Sequence, residues 1–130
     1  GAGADFIDVG TDNNVVVYGP ASDSTGNAFD TVSRLHFERD HIDVVNAVTA
    51  IDASASTAFV TDYNTSFENG ADAAHLGAHH AMLLTVNGAQ SELFMVIDQN
   101  GVAGYQEGGD IVFKLVDPNQ FAAFTAQSFI

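Results

Sequence analysis

Apolar and polar positions divide the chain into short extended segments. Val15-Val16-Val17-Tyr18 is a short run of strand-favouring residues set in residues 1–26, which are otherwise rich in Gly, Asp, Asn and Ser. Thr31–Phe37 and Ile42–Val45 read as two strands joined by the acidic turn Glu38-Arg39-Asp40. Ala81–Val86 and Leu93–Ile97 flank Asn87-Gly88, a dipeptide that favours hairpin turns. The run Leu93-Phe94-Met95-Val96-Ile97 is apolar throughout, the pattern of a strand buried on both faces. Ile111–Val116 alternates, with Ile111, Phe113 and Leu115 on one face and Lys114 on the other. A short helix is predicted from Phe67 to Gly77, with Phe67, Ala71, Ala74 and Leu76 inward and Gly77 ending it. The tail Asn119–Ile130 holds one helical turn, and the Ala/Ser/Thr-rich residues 53–66 give no assignment.

Length and composition bound the picture. A chain of 130 residues, 46% hydrophobic, is a single domain able to bury a real core. The charge is lopsided: 17 Asp and Glu face three basic residues (Arg34, Arg39 and Lys114), a net charge of −14. So little positive charge excludes binding to nucleic acid phosphates or anionic lipid. With no cysteine, no disulfide, zinc ribbon or thiol nucleophile can be built. No apolar run is long enough for membrane insertion, and no N-terminal signal peptide is visible. Thirteen of the acids are Asp, which prefers turns, so the negative charge collects in loops. There it serves solubility, a salt-adapted surface, or sites for a hard dication such as Ca²⁺, which takes oxygen ligands.

Two segments offer such oxygens. Gly1-Ala2-Gly3-Ala4-Asp5-Phe6-Ile7 fits the second half of a glycine/aspartate nonapeptide repeat. There the turn carbonyls of Gly1 and Gly3 and the Asp5 carboxylate would face a cation, while Ile7 begins a short strand. A plain Gly-Ala linker would read the same way. The loop from Asp98 to Asp110 lies between two predicted strands, with Asp98 first, Asn100 third, Gly101 fourth and Asp110 closing. The carbonyls of Val102 and Gly104 complete its candidate ligand set. The glutamate and flanking helices of an EF-hand are missing, and a glycine-rich turn bonded to its own side chains is the alternative.

His75, His79 and His80 form a His-x-x-x-His-His cluster, but Leu76 stands where a zinc-protease helix needs Glu. They read as capping or core-edge residues, and His36 and His41 as surface or strand residues beside the turn at 38–40. No Gly-x-Ser-x-Gly elbow or phosphate-binding glycine loop is present, so the expectation is a non-enzyme.

Ala21-Ser22-Asp23-Ser24-Thr25-Gly26, Phe29-Asp30-Thr31-Val32 and Asp40-His41-Ile42-Asp43-Val44 resemble the segment after the last calcium repeats of RTX (repeat-in-toxin) exoproteins, including serralysin-type proteases. Leu76–Ala81, Phe94–Gln106 and Asp110–Val112 are similar to the C-terminal domain of other RTX calcium-binding proteins. The chain departs from that family in carrying one partial repeat, and His41 where Lys is usual. The resemblance implies a bacterial, secreted, extracellular protein whose C-terminal module guides export through a type I ABC exporter and folds with Ca²⁺ outside. The upstream part of the same polypeptide would be its other partner. It adds Asp23 and Asp30 to Gly1, Gly3 and Asp5 as a second ligand group.

The expected fold is all-β with one or two short helices: a β-roll edge leading into a small antiparallel sheet or sandwich. Residues 1–26 would be a β-roll remnant and cap, and 27–130 the secretion-targeting domain. Two other functions fit the same residues: a surface-layer or adhesion module that self-associates with calcium, and a metal-dependent enzyme or ligand-binding domain using the histidine cluster.

Overall fold

The computed structural model describes residues 1–130, the side chain of Phe121 excepted. It is strand-rich, with nine strands: β1 (Phe6–Asp8), β2 (Val15–Val17), β3 (Asp30–Ser33), β4 (His41–Asp43), β5 (Ala50–Ile51), β6 (Ala55–Ala58), β7 (His80–Asn87), β8 (Ser91–Ile97) and β9 (Ile111–Val116). One helix, α1 (Tyr63–Gly70), precedes β7, and three short 3₁₀ turns complete the regular structure.

The first four strands alternate between two sheets. β1 pairs with β3 and β2 with β4, both in parallel, at offsets of 25 (Phe6 to Thr31) and 26 residues (Val15 to His41). The chain thus completes one flattened turn of a parallel coil. β3 then joins β9, so that β1-β3-β9-β8-β7-β5 form a seven-stranded sheet, with β6 also on β7; β2 and β4 form the second sheet. The pairing of β1 with β3 ties residues 1–26 and the rest of the chain into one sheet.

The sheet is mixed, a correction to the antiparallel expectation. Only the pairings of β8 with β7 and with β9 are antiparallel; β1 joins β3, β3 joins β9, and β5 and β6 join β7 in parallel. Parallel pairing needs long connections. Those between β1 and β3 and between β6 and β7 carry β2 and α1 respectively.

The periodicity of the long strands decides the layering. Met95 and Ile97 of β8, with Ile111, Phe113 and Leu115 of β9, pack against Val16, Tyr18, Ile42 and Val44 beneath the small sheet. On the other face Phe94, Val96, Val112, Met82, Leu84 and Val86 pack against Phe67 of α1 and Tyr105 of the loop 98–110. From Phe94 to Ile97 every residue is fully buried, as the unbroken apolar run requires.

The strand expected at Ile42–Val45 is His41–Asp43 and the tail holds two 3₁₀ turns rather than one; the helix and the strand after Asp30 depart further. The helix runs from Tyr63 to Gly70, not from Phe67 to Gly77. Asp62 caps it by accepting the Thr65 amide at 2.8 Å. Past Gly70 the carbonyls are taken by another part of the chain: Tyr105 N donates to Ala71 O and Gly104 N to Leu76 O. The strand expected over Thr31–Phe37 stops at Ser33, because Arg34 has a left-handed φ of 65° and the Asp40 carboxylate folds residues 36–40 into a turn through the His36 amide.

Candidate functional site

Four carboxylates lie inside the molecule. Asp30 and Asp40 are 2% exposed, and Asp98 and Asp110 are fully buried. Each stands at the edge of a strand, and each is bonded to backbone amides.

Asp98 follows β8 and Asp110 precedes β9, so the antiparallel pairing of Ile97 with Ile111 sets the two side by side. Asp110 Oδ1 accepts from Gln99 N at 2.9 Å and Asn100 N at 3.4 Å, and its Oδ2 accepts from Gln106 N at 2.8 Å. Burial pushes the Asp110 carboxyl above the usual 3.8; the amide bonds oppose this and the nearby Asp98 adds to it. Asp98 Oδ1 accepts from His79 N at 2.9 Å and Gly101 N at 2.8 Å. Its Oδ2 is buried without a partner, as is Nδ1 of His79, whose ring nitrogen lies 4.0 Å from Asp98 Oδ1.

The other predicted loop residues play different parts. Asn100 Oδ1 accepts the Val102 amide at 2.8 Å, and Asn100 Nδ2 donates to Gln106 Oε1 at 2.9 Å. Val102 is exposed, while Gly104 adopts φ 85° with its amide on Leu76. A Cβ at Gly104 would lie 2.9 Å from the Ala73 amide nitrogen, so this approach requires glycine. The sequence reading missed Gln99, whose side chain brackets Asn46: Oε1 accepts from Asn46 N and Nε2 donates to Asn46 O, both at 2.9 Å. Its position beside Asp98 is the only sequence signal for it.

At the other end, Asp30 Oδ1 accepts the Asp5 amide at 2.9 Å, and burial raises the Asp30 carboxyl above 3.8. Burial and the Asp30 carboxylate together push the Tyr18 phenol far above its ordinary value. The Asp5 carboxylate is exposed, 3.8 Å from the Gly1 amine; Gly3 has φ 116°; Asp23 sits in a 3₁₀ turn after Pro20. Asp40, which the sequence reading did not select, repeats the role of Asp30. Its Oδ1 accepts the Asn14 amide at 3.0 Å.

The three clustered histidines turn to three different aspartates. His75 Nδ1 meets Asp72 at 2.6 Å, His80 Nδ1 meets Asp52 at 3.0 Å, and His79 lies near Asp98. Among the described residues, no three His, Asp or Glu side chains converge as a metal-binding group. A cavity of about 470 Å³ is lined by Ile51, Asp52, Ser54, Leu83, Thr85, Leu93 and Phe124, with none of the four buried carboxylates in its lining. No described helix is long and apolar enough to cross a membrane. The chain matches no family model and no curated protein at a significant level.

Proposed function

We propose that the chain is the calcium-binding, non-catalytic C-terminal module of a larger secreted RTX-type exoprotein, exported by a type I system and folded by Ca²⁺ outside the cell. The observation that carries this reading is the enclosure of negative charge with almost nothing basic beside it. Among the described contacts, Arg39 Nε, 3.9 Å from Asp40, and the His79 ring, 4.0 Å from Asp98, are the basic side chains nearest the four buried carboxylates. Burying such charges is costly, and the excess of fourteen negative charges compounds the cost. A dication offsets both, and it is scarce in cytosol and abundant outside.

The donor chemistry fits a hard cation through one orphan, the buried Asp98 Oδ2. Asn100 and Asp110, whose oxygens hold loop amides, shape the loop around it, and Val102 and Gly104 supply its remaining carbonyls. Gly1, Gly3, Asp5, Asp23 and Asp30 form the second proposed group. Bound Ca²⁺ would supply positive charge against these oxygens.

The test is thermal unfolding in calcium, in magnesium and in EDTA. For a site with a dissociation constant of about 10⁻³ M, calcium at ten times that level adds about 1.4 kcal/mol, a rise of roughly 3–5 °C. Asp98→Asn should remove most of that rise while keeping an oxygen for the His79 and Gly101 amides. Superimposable melts in calcium and EDTA would end this reading.

A further inference from the structure

Three asparagines of the chain are followed by glycine: Asn69, Asn87 and Asn100. Such a pair can react with itself. The glycine nitrogen, unhindered by a Cβ, bonds to the asparagine Cγ; the Cγ–Nδ2 bond breaks, and Nδ2 leaves as ammonia with the proton the glycine nitrogen gives up. Water then opens the five-membered succinimide at either carbonyl, to aspartate or to isoaspartate. The reaction needs a loosely held glycine amide, a free side-chain amide, and a backbone able to bring the two together.

The fold withholds these from two of the three pairs. Asn69 and Gly70 are the last residues of α1, whose amides are held by carbonyls one turn earlier. Gly70 is also buried, close against Leu84 and Thr57. In the loop 98–110 every group the reaction uses is bonded. Asn100 Oδ1 accepts the Val102 amide at 2.8 Å, Asn100 Nδ2 donates to Gln106 Oε1 at 2.9 Å, and the Gly101 amide donates to the buried Asp98 carboxylate at 2.8 Å.

Asn87-Gly88 is placed differently. It opens the turn between β7 and β8, and Asn87 to Ser91 are all exposed. The Gly88 amide donates inside the turn, to Gln90 O at 3.2 Å. The Asn87 side chain is held by its oxygen: the Ser91 hydroxyl donates to Asn87 Oδ1 at 2.8 Å, where negative charge builds as Cγ becomes tetrahedral. That bond leaves Nδ2 to depart into solvent.

We propose that Asn87 is a self-modification site, converted by the Gly88 nitrogen and water to aspartate and isoaspartate, while the bonds around Asn69 and Asn100 preserve those residues. Each event adds a negative charge beside Glu92, in the wall of a hollow of about 270 Å³ shared with Phe59 and Tyr63. Isoaspartate also reroutes the backbone through Cγ. The carbonyl of Asn87, which accepts the Phe59 amide at 2.9 Å, then becomes a free carboxylate at the end of β6. This inference rests on the hairpin and stands apart from calcium and export.

The test is to incubate the chain below its melting temperature in mildly alkaline buffer, digest it, and resolve the peptides by chromatography and mass spectrometry. Position 87 should convert at least roughly tenfold faster than positions 69 and 100. In urea, with the fold lost, the three rates should come within about threefold of one another. Gly88→Ala is the control. Gly88 lies outside the left-handed region, and a Cβ there meets Phe59 Cβ at an ordinary 3.4 Å, so the hairpin accommodates alanine. The hindered nitrogen should then slow conversion at position 87 by at least roughly tenfold. Conversion at 69 or 100 as fast as at 87 in the folded chain overturns the proposal, and so does a Gly88→Ala variant that converts at the parent's rate.

Discussion

Asp110 organises more backbone than any other side chain of its loop. Its two oxygens accept three amides, from Gln99, Asn100 and Gln106, where an Asn has one accepting oxygen and an NH₂. Asp110→Asn therefore strands at least one buried amide, which costs about 1–3 kcal/mol and outweighs the gain from losing a buried charge. Urea unfolding checks this, and a change below about 0.5 kcal/mol would show that the loop closes by other means. The sequence made Asp98 and Asp110 visible as loop-ending carboxylates. It could not show that their oxygens face amides, because those amides come from loop residues in non-repeating conformations: Gly101 has φ 76° and His79 φ 57°. The left-handed φ of His79 keeps it off any helix face shared with His75.

At the scale of elements, β8 and the end of α1 show opposite relations between pattern and structure. In β8 a continuous apolar run met the middle of a three-layer molecule. Phe94 packs 4.8 Å from the Phe67 ring and 5.1 Å from Phe29, centroid to centroid. Phe94→Ala should cost about 3–5 kcal/mol in urea unfolding; a loss under about 2 kcal/mol would mean the helix side repacks freely. At Gly70 helix propensity and packing disagree. Alanine gains up to about 1 kcal/mol in a helix, but a Cβ here would stand 2.7 Å from Leu84 Cδ1 and 2.8 Å from Thr57 Cγ2. Overpacking at about 1–3 kcal/mol wins, so Gly70→Ala should lower the melting temperature. The expected helix, Phe67–Gly77, ran through Gly70, whereas the observed one ends there, where the chain packs closely against Thr57 of β6 and Leu84 of β7.

For the whole molecule, charge sets the response to pH. Burial raises the Asp30 and Asp110 carboxyls above the ordinary 3.8. As pH falls through their folded values the native state gains protons before the unfolded chain, so stability rises. Burial alone would raise Glu92 as well, yet the Lys114 ammonium at 2.7 Å and the Tyr63 hydroxyl at 2.6 Å hold it below 4.5. The bond to Glu92, then burial, lifts Tyr63 to about 12. Asp8, Asp62 and Asp72 are also lowered, by the Arg34 side chain, the Thr65 amide and the His75 ring respectively. Stability from this lowered set is lost as pH falls through their folded values. The urea midpoint should therefore climb from neutral pH towards the region just above about 4 and fall below it. A midpoint that only decreases on acidification from neutrality would contradict this order.

The sequence determined the strand-rich class, the buried β8 and β9 with their two-faced alternation, and the collection of acids in loops. Those features depend on local periodicity and on residue chemistry, which a chain displays along its length. Tertiary structure alone decided that the sheet is mixed and that α1 begins at Tyr63. It also decided that Asp30 and Asp40 perform one task in two sheets and that three neighbouring histidines serve three different aspartates. The Asp62 cap and the His75–Asp72 pair are local, but the sheet pairing and the buried aspartate bonds depend on partners many residues distant, such as the 25 residues between Asp5 and Asp30, and no local pattern encodes where such a partner will lie.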